Sequence, residues 1–86
     1  AADLVKARDA GVQPGSEEAE ALVERHRASI AQWYDVTPAR QLILARMYVG
    51  DDRFHAAYDG AQDYLLDLVT AHAENAGVDV DNPQWD

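Results

Sequence analysis

Three histidines and a band of aromatic side chains are the residues of this 86-residue chain whose types could do chemistry. Asp51, His55 and Asp59 stand at i, i+4 and i+8, which lines one face of an unbroken helix. Such a row could hold a divalent metal if three or four ligands converged at about 2 Å and were oriented by further hydrogen bonds. Gly50 argues against an unbroken helix. A stop there commits Asp51 or Asp52 to capping the next helix and leaves His55 and Asp59 as a solvated pair, so no metal is expected. His26 and His72 fall on apolar helical stripes, where a core or half-buried imidazole bonded to a neighbour is expected. Neither has a carboxylate or nucleophile held beside it by local sequence, as acid–base catalysis requires. No glycine-rich phosphate loop, Ser-His-Asp grouping or thiol is present. Neither an enzymatic activity nor a cofactor is expected.

The aromatic side chains are more informative. Trp33 and Tyr34 close one predicted helix, Met47 and Tyr48 close the next, and Phe54 and Tyr58 fill a short one. Only Tyr64 and Trp85 lie elsewhere. Large polarizable side chains around two adjoining corners can build the core of a small domain. They can equally line a cleft for a flat apolar ligand, because Tyr and Trp pair an apolar body with a polar handle and Met adapts its shape. Some can pack while others face the cleft, and on the residues alone both readings stand.

These side chains are positioned by helices. The apolar spacing is helical throughout, with no alternating stretch long enough for a strand. Asp3 to Ala10 reads as a helix end closed by Gly11 and Pro14. Ser16 is an N-cap, and Glu17, Glu18 and Glu20 sit where the helix dipole favours anions. The helix from Glu17 to about Tyr34 carries Leu22, Val23, His26, Ile30, Trp33 and Tyr34 on one face. Thr37-Pro38 starts the next helix, with Leu42, Ile43, Met47 and Tyr48 inward and Gly50 as its stop. A short helix follows to Tyr58 or Asp59, broken by Gly60. Ala61 to Asn75 is the last helix, with Leu65, Leu68, Val69 and His72 buried and Ala76-Gly77 at its end. Residues 1–77 are thus one all-α domain, a small bundle of four to five helices. Residues 78–86 form a polar tail that only Trp85 could anchor.

Composition sets further bounds. At this length the chain buries only a small core, and it has no cysteine for disulfides or thiolate ligands. The longest apolar run is far too short to span a membrane, and a cytoplasmic location is expected. The start at Ala1 fits a domain excised from a larger protein. Of the formal charge of −9, nearly all lies in the second half. Residues 51–86 hold nine acidic side chains against Arg53, while residues 1–50 hold seven acidic and six basic ones. Such a surface repels nucleic-acid phosphates, so any contact with DNA must come from another segment.

Particular residues add a family. His26-Arg27-x-x-Ile30, then Trp33-Tyr34-Asp35, then Met47-Tyr48-Val49-x-Asp51-Asp52-Arg53-Phe54, resemble the C-terminal half of the TipAS antibiotic-recognition domains of MerR-type transcription activators. The resemblance covers roughly residues 20–75. It implies a globin-like helical domain whose cleft binds thiopeptides or other bulky heteroaromatic antibiotics, completed by an N-terminal half that folds over the ligand. It also implies that DNA is contacted only through a separate N-terminal winged-helix domain, in a parent protein that is a homodimer. On this basis Trp33, Tyr34, Met47, Tyr48, Phe54 and Tyr58 are expected to line the cleft, with Ile43 at its floor. The founding member of the family carries a cysteine at the position matching Ile43 and captures dehydroalanine-containing ligands covalently. Without that cysteine, binding here is expected to be reversible. The alternative is a structural or protein-interaction module with no small-molecule ligand.

Overall fold

Helix-end chemistry divides the chain into five segments. The structure, a computed structural model, describes residues 2–33, 35–58 and 60–85, without the side chains of Ala2, His55 and Ala57. The helices are α1 (Ala2–Asp9), α2 (Glu17–Ile30), α3 (Pro38–Val49), α4 (Arg53–Ala57) and α5 (Gln62–Asn75), and no strand occurs among the described residues. The fold is all-α. At the start of α2, the Ser16 hydroxyl oxygen accepts from the Ala19 N–H at 3.2 Å. Thr37 does the same for the Arg40 N–H at 3.2 Å ahead of α3, with Pro38 in the first turn.

Two helix ends share one device. Gly11 (φ 77°) and Gly77 (φ 85°) take the left-handed conformation that glycine adopts without a Cβ clash. The following residues reach back, Val12 N–H to Ala7 O at 3.0 Å and Val78 N–H to Ala73 O at 2.9 Å. This six-to-one closure turns each valine onto the core. Gly50 ends α3 with an ordinary right-handed φ of −83°. At the next start Asp51, rather than Asp52, does the capping: its Oδ1 accepts from the Arg53 N–H at 3.0 Å. The Arg53 guanidinium closes on the same Asp51 carboxylate. The side-chain and backbone bonds from Arg53 hold the Asp51 carboxyl down at about 2. Asp51 is thereby spent on helix initiation, and the expected His55–Asp59 pair lies outside the described residues.

The core forms where α3 and α2 pack on α5. Leu42 and Ala45 from α3, Ala19 and Val23 from α2, Ala61 just before α5, and Leu65, Leu68, Val69 and Ala73 from α5 are its fully buried members. The α5 stripe matches its predicted spacing. The face of α3 does not. Gln41, Leu42, Leu44 and Ala45 turn inward, Ile43 is half-buried, and Met47 is 60% exposed. A polar residue occupies the inward position at 41 because partners for its amide lie across the interface on α2. The end of α2 also differs from expectation. The helix stops at Ile30, a turn bonds Trp33 N–H to Ile30 O at 3.1 Å, and Trp33 stands 83% exposed. Tyr34 lies outside the described residues.

Polar clamps then fix the elements. Glu20 bonds His72 Nδ1 and accepts from the Asn75 amide at 2.9 Å, joining α2 to α5. Burial alone would raise the Glu20 carboxyl, but the bonds from His72 and Asn75 outweigh it and hold it below its ordinary value. Arg27 braces the α2–α3 loop by donating to Val36 O at 2.8 Å while pairing with Glu24. The tail is tied more firmly than its polarity predicts. Arg46 donates to Val80 O at 2.5 Å, Arg40 donates to Trp85 O, and the Arg40 guanidinium lies 5.4 Å from the Trp85 ring centroid.

Candidate ligand-binding cleft

On α2, Leu22, Arg25, His26 and Ser29 follow one another at i, i+3, i+4 and i+7, so they share one face of the helix. That face lines a cleft of about 510 Å³, within the range of small-molecule sites. Asp3 and Leu4 of α1 form the opposite wall, Leu65 of α5 the apolar base, and Tyr58 closes the end toward α4. Arg25 and Asp3 face each other across the rim at 3.5 Å. Beyond this pair the cleft continues into a smaller hollow of about 230 Å³ between α1 and α2, floored by Ala7, Val12 and Leu22.

The polar end of the cleft is built in layers. His26 Nε2 lies 3.1 Å from the Tyr58 hydroxyl, and His26 Nδ1 lies 2.9 Å from the amide nitrogen of Gln41. Behind them the Tyr48 ring packs on Phe54 at a centroid distance of 4.4 Å and on Tyr58 at 5.5 Å. His26 meets the Tyr48 ring edge-on at 6.4 Å. Burial pushes the His26 imidazole below its ordinary value. Burial, reinforced by the charge of and hydrogen bond to Tyr48, pushes the Tyr58 phenol up to about 12. At neutral pH the pole is therefore uncharged and rich in hydrogen-bonding groups, while the charged pair of the cleft, Arg25 and Asp3, lies at its rim.

Among the seven residues singled out from sequence, Tyr58 lines this cleft, and Tyr48 and Phe54 form the layer behind it. Ile43, Met47 and Trp33 lie away from the cleft wall, and Tyr34 is outside the described residues. His26 and His72 behave as expected, half-buried and buried with bonded neighbours. His72 Nε2 lies 3.2 Å from Glu24 Oε1 without hydrogen-bond geometry, so the Glu20 contact is its principal tie. Among the described residues no group of three His, Asp or Glu side chains is arranged to hold a metal. No described helix is long and apolar enough to cross a membrane. Sequence reasoning put Leu22 and His26 on one face but missed Arg25 and Ser29 beside them. The i+3 and i+7 spacing from Leu22 was the available signal, masked by the polarity of Arg25 and Ser29.

Every cleft residue falls within residues 1–72, the segment matched by the family model of the TipAS antibiotic-recognition domain. No curated protein and no solved structure matches the chain.

Proposed function

The chain belongs to the TipAS antibiotic-recognition domain family, and from that premise we propose that it is the effector-sensing domain of a MerR-type transcription regulator. In this reading it binds a bulky apolar or heteroaromatic antibiotic reversibly in the α1–α2–α5 cleft. The observation that carries the reading is the pairing of an apolar base, Leu4, Leu22 and Leu65, with the neutral His26–Tyr58 pole. Burying about 200 Å² of apolar ligand surface there gains about 5 kcal/mol, before the costs of immobilising the ligand and ordering the site. Tyr58 touches the ligand, and Tyr48 and Phe54 stiffen it from behind. Lacking a cysteine, the chain cannot form a thioether with the ligand. DNA contact and homodimer formation belong to other segments of the parent regulator, consistent with the acidic second half of this one.

A sensor needs an element whose position the ligand biases. That element is α1, which reaches the bundle mainly through Leu4 and Ala7 and supplies one wall of the cleft. A ligand seated between α1 and α2 holds α1 down, and that ordering is the signal.

Calorimetric titration with a panel of thiopeptides and other polycyclic antibiotics tests this reading. Saturable one-to-one binding, abolished when Ser29→Trp fills the cleft from its exposed wall, is the expected result. Binding by no member of the panel, or undiminished binding by S29W, counts against it. The exposed Trp33 and Met47 favour a second reading, a docking surface for another protein. That reading gains if binding is absent from the whole panel.

A further inference from the structure

Gln41 is fully buried, yet it is a polar residue on the core face of α3. Its amide nitrogen lies 3.0 Å from the carbonyl oxygen of Val23 and 2.9 Å from His26 Nδ1. A carbonyl can only accept, so one amide hydrogen is given to Val23 and the other points at Nδ1. Nδ1 must then be the bare nitrogen of the imidazole. The ring hydrogen is left on Nε2, which donates to the Tyr58 oxygen at 3.1 Å. Turning the amide over would set its oxygen against the Val23 carbonyl, two acceptors face to face. The arrangement leaves Gln41 Oε1 buried without a partner, an unmet acceptor that an apolar residue of the same shape would avoid. The retained cost marks Gln41 as serving the ring it faces.

We propose that Gln41 is a positioning residue that holds His26 as the neutral Nε2–H tautomer, so that the cleft takes the uncharged end of its ligand. The ligand part of this proposal rests on the cleft being the antibiotic site; the tautomer part does not. Protonating Nδ1 would place two donors against each other at the Gln41 contact, which opposes the imidazolium in addition to the effect of burial. Among the described residues, the groups facing His26 leave it without a counter-charge. Tyr48 on α3 and Tyr58 before α5 are neutral phenols, while Arg25 on its own helix and Asp3 on α1 pair with each other at the rim. A ligand cation seated at this pole would lose water and meet no unpaired carboxylate among the described residues.

Imidazole nitrogen NMR of the 86-residue chain tests the proposal. The wild-type spectrum is expected to show His26 as the Nε2–H tautomer at pH 8, with a titration midpoint below the ordinary value of about 6.5. Gln41→Glu offers Nδ1 an acceptor, and the midpoint should then rise above that value. An Nδ1–H or mixed tautomer in the wild type overturns the proposal even if Q41E does not fold, as does an unmoved midpoint in a folded Q41E. At the same pH, acridine should bind at least tenfold tighter than N-methylacridinium, the permanent cation that differs from it by one methyl group. Equal binding of the two overturns the ligand part. If neither binds while the tautomer is as stated, the positioning role stands and the antibiotic-site reading fails.

Discussion

Replacing Tyr58 by phenylalanine removes one oxygen from the cleft and leaves the ring in place against Tyr48 and Phe54. The lost atom is the acceptor for His26 Nε2–H at 3.1 Å. A neutral hydrogen bond contributes about 0.5–1.5 kcal/mol net, and a buried donor left unpaired costs about 1–3 kcal/mol. His26 is half-buried and faces a cleft that admits water, which places the expected loss near the low end, about 1 kcal/mol. For a domain of this size that lowers the Tm by about 4–8 °C. Urea and thermal unfolding followed by circular dichroism measure it, and a double-mutant cycle with His26→Phe isolates the pair. A coupling of about 1 kcal/mol is expected. If Y58F unfolds at the wild-type midpoint and the cycle shows no coupling, the His26–Tyr58 bond is not what organises the pole, and the reasoning fails.

The α2–α5 clamp gives an acid signature. The folded Glu20 carboxyl titrates below its ordinary value of 4.5, so its contribution is complete above that pH and is lost as pH falls through the folded value. Urea midpoints between pH 3 and 6 should drop in the wild type, and Glu20→Gln should flatten that part of the slope. Arg40→Ala should release the tail. In a Trp33→Phe background, where Trp85 is the remaining tryptophan, its fluorescence should shift to the red and residues beyond Val78 should become sensitive to protease. Trp33→Ala and Met47→Ala should each leave stability within about 0.5 kcal/mol of wild type and leave ligand affinity unchanged. A large loss of affinity in either would move the site to the α3 face.

The starts of α2 and α3 and the ends of α1 and α5 were legible because each rests on a local rule. Ser16, Thr37-Pro38, Gly11 and Gly77 need only their neighbours to act as caps and stops. The α5 stripe was legible too, because Leu65, Leu68 and Val69 are apolar and face the interior together. The face of α3 was not. Apolar character pointed to Ile43 and Met47, whereas burial went to Gln41 and Ala45. Ala45 is small, and Gln41 is polar with partners supplied 15 and 18 residues earlier in the chain. The cleft was hidden for a related reason. Its wall mixes Leu22 and His26 with Arg25 and Ser29, and only the fold reveals that Asp3 faces them and that, of the expected aromatics among the described residues, Tyr58 is the one lining it. Aromatic clustering found the layer behind the pole, Tyr48 and Phe54 with Tyr58, but could not tell which ring faces solvent. Trp33 misled because it continued the periodicity of α2 past the residue where the helix ends.

The central claim is that ligand enters between α1 and α2 and rests on the His26–Tyr58 pole. Backbone amide shifts measured during titration with a panel antibiotic test this most directly. The account predicts saturable shifts at Leu4, Leu22, His26, Ser29 and Leu65, the residues around the cleft. Shifts confined to Trp33, Ile43 and Met47, with the α1–α2 wall unmoved at saturation, would contradict it.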